Sequence, residues 1–167
     1  MFGTGFSVNK FPVRDFVEAG NAMRVVVQRV SQACVTVAGE VVGRIAAGLC
    51  IFAGFGHSDQ NSNVAVLAQK ILDLRVFEDA QAKMNRSLLD VRGEILAVSQ
   101  FTLYGDCSRG HRSSFTGAAS PDDAERLYNC FVDRLKASGL KVATGRFRAH
   151  MHVTLTNDGP VTFILEN

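Results

Sequence analysis

"MRVVVQRVSQACVTV", residues 23–37, sets the reading of the whole chain. Val25 and Val27, then Val35 and Val37, stand two apart, the spacing that puts side chains on one face of a strand. Turns follow at "AGE" (38–40) and "AAG" (46–48), and "GLCIFAGF" (48–55) reads as a buried strand. Val64, Leu67, Ala68, Ile71 and Leu72 then recur at helical spacing between Asn63 and Leu74, with Ser62 placed to cap the first free N–H groups. A second helix is better punctuated. Ser120 is its N-cap, Pro121 fits the first position, Asp122 and Asp123 complement the positive end of the dipole, and Gly139 ends it. Its apolar stripe, Ala124, Leu127, Tyr128, Phe131 and Leu135, is core packing. "KVATGRF" (141–147), "AHMHVTLTN" (149–157) and "VTFILE" (161–166) supply three further strands. With about seven or eight strands and two main helices, the class is α+β, the helices covering one sheet face.

Composition narrows what such a domain does. Over 167 residues, 47% are hydrophobic and 20% charged, enough apolar surface for one sizeable core and too much for a disordered tail. A net charge of +2 does not support long runs of nucleic-acid backbone contact, but it allows a few phosphates to be held locally. Cys34, Cys50, Cys107 and Cys130 form no CxxC pair, so they read as free thiols of a reducing compartment, and no metal is expected. No apolar run approaches the roughly 20 residues that span a bilayer. Residues 1–22 lack the basic flank and apolar block of a signal peptide, so the expectation is a soluble, cytoplasmic chain. Those residues also lack the strand pattern that begins at Met23. They read as an N-terminal extension, an upstream start or an accessory arm, ahead of a domain over 23–167.

The chemical inventory offers no familiar constellation: there is no GxSxG, HExxH or Walker phosphate loop. "GFGHSD" (54–59) lacks the third glycine and the acidic residue of a dinucleotide site and reads as a turn. His150 and His152 share a strand face but have no carboxylate or thiol nearby in sequence. "SQFTL" (99–103) is by pattern a strand end, Phe101 and Leu103 facing one way, Gln100 and Thr102 the other. The Thr102 hydroxyl has no base in evident partnership with it. "TNDGPVT" (156–162) is by pattern a tight turn between two β runs. "GDCSRGHRSSFTGAAS" (105–120) is too long for an idle connection.

Taken in order, "SQFTL" and "NDGPVT" (157–162) resemble the two signatures of the D-aminoacyl-tRNA deacylase family, formerly the D-tyrosyl-tRNA deacylases. The opening strand, "NRSLLDVRGEILAVSQFTLYGD" (85–106) and "AASPDDAERLYNCFVDRL" (118–135) extend the resemblance over everything after residue 22. There are two departures. "RSSF" (112–115) has Ser113 where the family usually has proline, and "FRA" (147–149) has Arg148 where it usually has glycine. The resemblance implies a three-layer β/β/α fold, a homodimer, and hydrolysis of the ester joining a D-amino acid to the terminal ribose of tRNA, without a cofactor. It implies catalytic roles for Ser99, Gln100, Phe101 and Thr102, and substrate-binding roles for Met151, Asn157, Gly159, Pro160, Arg109 and Arg112. The Gly159–Pro160 peptide would be cis, and its loop would enter the active site of the partner subunit. Backbone groups would then hold the aminoacyl adenosine, tolerating many D side chains, colliding with L ones and letting glycyl-tRNA through. Thr102 orients substrate while the ribose 2′-hydroxyl helps activate water, or else forms a covalent intermediate. Arg109, His111, Arg112 and Arg148 are candidate phosphate contacts at the tRNA acceptor end. Two other functions compete: a related tRNA-editing domain with another misacylated substrate, and a non-catalytic nucleic-acid-binding protein.

Overall fold

The computed structural model describes residues 23–108 and 110–167; the N-terminal extension expected over 1–22, and Arg109, lie outside the described residues. The architecture follows from two apolar runs. β3 (Gly48–Gly54) and β6 (Glu94–Ser99) pair in parallel, Leu49 beside Ile95 and Ile51 beside Ala97. These four side chains share a core with helices α1 (Asn61–Asp73) and α3 (Pro121–Lys136). Cys50, Leu96 and Val98, at the alternate positions, belong to a second core with Val30, Ala33, Val35 and Ile45. Both faces of the central strands are covered, which is why each reads as an unbroken apolar run. Helices, central strands and a second β layer make the three layers.

The second layer arises because one sheet curls over itself. Its order is β2 (Glu40–Ile45), β1 (Arg24–Val37), β3, β6, β7 (Val142–Thr144), with β8 (His152–Glu166) on the other edge of β1. A Cβ on Gly43 of β2 would stand 2.6 Å from the Thr144 carbonyl oxygen of β7, so the curl brings these two strands together. β1 makes this possible by changing faces. Val25 and Val27 point to the helix-side core, Val30, Ala33 and Val35 to the other. The switch falls where the β1–β8 register slips, at the bulges between Gln28 and Gln32.

α3 is capped as its sequence predicts: the Ser120 hydroxyl accepts from the Asp123 N–H at 3.2 Å, and Leu127, Tyr128, Phe131 and Leu135 are buried. Gly139 lies just beyond its end, at φ +78°. α1 starts earlier than expected. Gln60 takes the N-cap position without a side-chain bond, and Ser62 lies inside the first turn. Arg126 of α3 donates to the Asn61 side-chain oxygen at 2.8 Å, engaging the first residue of α1 with the neighbouring helix. The remaining elements are the small pair β4 (Phe77–Glu78) and β5 (Met84–Arg86) and the single turn α2 (Leu88–Val91).

The C-terminal third departs from the sequence reading. In place of two strands and a tight turn, β8 runs from His152 to Glu166 as one strand, with four residues looped out. Gln28 pairs with Thr162 and Val30 with Asn157, so Asp158 to Val161 bulge opposite Arg29 alone. Continuous pairing along β1 holds the two halves of β8 in line. Among the described residues no helix is long and apolar enough to cross a membrane.

Candidate functional site

"SQFTL" changes conformation midway. Ser99 ends β6, and the Gln100 N–H donates to the Ala53 carbonyl at 2.8 Å, prolonging the pairing with β3. Phe101–Tyr104 then wind into one turn of 3₁₀ helix instead of finishing a strand. The far end of that turn is anchored. Arg24 of β1 donates to the Leu103 carbonyl at 3.1 Å, and its guanidinium lies 4.9 Å from the centroid of the buried Tyr104 ring. The Tyr104 hydroxyl reaches the Asp59 carboxylate at 3.5 Å, and the same oxygen accepts from the Gly56 N–H at 2.7 Å. "GFGHSD" is therefore a turn, built round a buried carboxylate. Burial pushes the Asp59 carboxyl above its usual range; burial, and then the Asp59 charge, push the Tyr104 hydroxyl up as well. Tyr104 stays protonated and serves as an anchor. At the near end of the turn Phe101 is 60% exposed and packs against Phe115, ring centroids 5.0 Å apart.

Beside this turn lies a cavity of about 170 Å³. Its walls come from Ala53–Phe55 at the end of β3, Ser99–Phe101, Ala119 and Ala124 at the start of α3, and the segment Phe147–Met151. Phe147 is held 5.9 Å from Tyr128, whose hydroxyl donates to the Ala97 carbonyl at 2.9 Å. Arg148 sits at the third position of the Arg146–Ala149 turn with φ +60°. A left-handed backbone at a residue with a Cβ costs about 1–2 kcal/mol, a cost glycine would not carry. The departure seen in the sequence thus falls on the cavity wall. Ser99, Gln100, Phe101 and Met151 are brought together there.

Thr102 does not line the cavity. Its hydroxyl accepts a hydrogen bond from the Gln100 side-chain amide, and among the described residues no basic or acidic side chain bonds to it. His111, Arg112 and the neighbouring Ser113 are exposed on the 105–120 loop and take no part in the cavity wall. His150 and His152 stack edge to face at 4.9 Å, and among the described residues no three His, Cys, Asp or Glu side chains converge on a point. Burial pushes the Cys50 thiol up to about 12, leaving it a neutral packing group.

The second motif forms the β8 bulge. The Gly159–Pro160 peptide is cis, as the resemblance implied, and Gly159 has φ +127°, where a Cβ would come within 2.7 Å of the Val161 side chain. Asn157 closes the neck: its side-chain oxygen accepts from the Val161 N–H at 3.0 Å and its amide donates to the Thr162 hydroxyl at 2.8 Å. Asp158, Gly159 and Pro160 are exposed and do not line the cavity of their own chain. Arg29, a residue the sequence reading passed over, fastens the bulge from below. Only 8% exposed, it donates to the Val76 carbonyl at 2.7 Å and the Asp158 carbonyl at 3.1 Å, with the Asp158 carboxylate at 3.4 Å. Its signal was present: Arg29 continues the Val25, Val27 alternation, a charge at a core-facing position.

Known proteins resemble this chain over the span that holds both halves of this site. A chain from Thermotoga petrophila named D-aminoacyl-tRNA deacylase is 57% identical over 145 residues, 87% of this chain and 97% of its own length. One of the same name from Bacillus cytotoxicus is 54% identical over 145 residues, 87% of this chain and 99% of its own. A solved structure titled c-Myc DNA Unwinding Element Binding Protein matches with TM-score 0.81 at 40% identity, covering 86% of this chain and 98% of that one. A structure of a probable eukaryotic D-amino acid tRNA deacylase, 18% identical with TM-score 0.78, shares the fold over 87% of this chain and 100% of its own. The model of the D-Tyr-tRNA(Tyr) deacylases matches residues 26–166, a span that holds the cavity, the 3₁₀ turn and the Gly-Pro bulge, and the chain belongs to that family of hydrolases.

Proposed function

We infer that this chain hydrolyses the ester bond between a D-amino acid and the terminal ribose of tRNA, in the cavity beside Ser99–Thr102. The observation that carries the reading is an apolar cavity with no acid–base pair in its wall, set against the first turn of a short helix. The Phe101 and Thr102 N–H groups precede the first hydrogen bond of that turn, from the Leu103 N–H to the Gln100 carbonyl, and have no partner among the described residues, which leaves them for a ligand. They suit the oxyanion formed when water adds to the ester carbonyl. The ester oxygen then leaves on the ribose, with the neighbouring 2′-hydroxyl assisting the proton transfer. Thr102, oriented by Gln100, positions substrate and forms no covalent bond to it.

The bulge completes the site from a second copy. Its exposed tip and its absence from its own cavity support a homodimer in which Gly159 and Pro160 of each chain enter the other. β8 supplies the surface, since it leaves Ile164 71% exposed on a strand paired along one edge only. An L side chain would meet that loop, whereas a D side chain points away and glycine has nothing to collide, so glycyl-tRNA is cleaved at high enzyme concentration. The domain is residues 23–167, working in the cytoplasm, with Arg109, His111 and Arg112 near the acceptor end. A solely nucleic-acid-binding role is not favoured, because 40% identity to a protein titled for DNA binding sits beside higher identity to deacylases. Release of D-tyrosine from D-tyrosyl-tRNA by the purified chain is the test. Absence of release at micromolar enzyme refutes the reading.

A further inference from the structure

We propose that Arg148 is a specificity-determining substrate contact that binds the 5′-phosphate of the terminal nucleoside; this rests on the deacylase reading of the cavity. Arg148 is the charged residue among the cavity's described lining, and it is exposed. Arg24, Arg29 and Arg126 all hold carboxylates, whereas Arg148 makes no ion pair or side-chain hydrogen bond among the described residues. Its guanidinium is free to take a ligand.

The backbone argues the same way. Arg92 also has a positive φ, at +50°, but there the residue caps α2 and its N–H bonds the Leu88 and Leu89 carbonyls. At Arg148 the turn would be served better by glycine, so what the residue adds is its side chain. The walls decide what that side chain meets. Phe101, Phe147 and Met151 suit a base and a ribose, and the anion next to a terminal ribose is its 5′-phosphodiester. A planar guanidinium meets such a group with two parallel N–H donors.

Titration of the purified chain with adenosine and with adenosine 5′-monophosphate isolates the phosphate. The wild type is expected to bind the monophosphate about 10-fold more tightly than adenosine. Arg148→Gly abolishes that preference while leaving adenosine affinity unchanged, and Arg148→Lys keeps part of it. Thermal melting of Arg148→Gly at or above the wild-type temperature excludes unfolding as the cause. On D-tyrosyl-tRNA, Arg148→Gly raises KM with kcat retained, and the slope of log kcat/KM against log salt becomes shallower by about 0.7. Equal loss of both ligands points to stacking on the base and overturns the proposal, as does a preference or a salt slope that the glycine variant leaves intact. Failure of the wild type to bind either nucleotide at millimolar concentration also overturns it. A wild type that binds nucleotides with the expected preference but releases no D-tyrosine refutes the deacylase reading alone.

Discussion

The hydroxyl of Thr102 accepts from the Gln100 amide and, among the described residues, bonds to no histidine, lysine or carboxylate, so it is held as an acceptor and not readied as a nucleophile. Thr102→Ala should therefore keep kcat within about 100-fold of wild type, far from the roughly 10⁶-fold loss that follows removal of a true nucleophile. Rapid-quench mass spectrometry should find no acyl adduct; an adduct on Thr102 would reverse the assignment. Arg29 carries a different load, since its buried guanidinium serves two carbonyls and one carboxylate. Arg29→Ala leaves those acceptors short of donors and should cost about 2–4 kcal/mol. That lowers Tm by roughly 4–16 °C in calorimetry, and D-tyrosyl-tRNA hydrolysis should fall with it. Thr102 and Gly159 could be singled out because each lies inside a motif of the family resemblance. Arg29 was not, because its partners Val76 and Asp158 stand 47 and 129 residues away, and local pattern reports only that a charge faces the core.

Elements whose signals are local read well. α3 carries its cap, its proline and its acidic first turn within four residues, and the structure uses all of them. Ser120→Ala should cost about 1 kcal/mol, a Tm decrease of roughly 2–4 °C, with activity at 25 °C unchanged. β8 read poorly because its continuity is enforced from β1, residue by residue across a register that pairs Arg24 with Glu166. The 3₁₀ turn read poorly for a similar reason, its direction being set by Arg24 and the Tyr104–Asp59 contact. Glu94 is another tie between elements: its carboxylate accepts from Lys141 and from the Ala46 N–H, both at 2.8 Å, joining the β2–β3 turn to the start of β7. The Lys141 bond first, and the Ala46 N–H next, hold this carboxyl below its ordinary value of 4.5. A depressed folded-state value adds stability above the unfolded value and loses it as pH falls through the folded one. Glu94→Gln should thus melt slightly below wild type at pH 7, by under about 1 kcal/mol, and the two should converge as pH falls through the lowered folded-state value. A gap that widens on acidification would contradict this.

For the molecule as a whole, the sequence reading expected one core and read β3 as a buried strand, whereas the second core on the far face of β3 and β6, and the curl that sets β2 against β7, were not legible. That the Gly-Pro bulge enters the cavity of a second copy is what the family resemblance implies, and the exposed bulge and the exposed Ile164 of β8 support that proposal. Ile164→Asp should place a charge in the β8 contact, shift sedimentation from dimer to monomer at micromolar concentration and abolish deacylation with the monomer still folded. An active monomer would separate the bulge from catalysis. If the cavity hydrolyses the ester and the partner's bulge reads the hand of the amino acid, matched initial rates on D-tyrosyl- and L-tyrosyl-tRNA should differ. Cleavage of the D substrate is expected to be at least about 100-fold faster than that of the L substrate; comparable rates on the two would refute the proposed selection by hand.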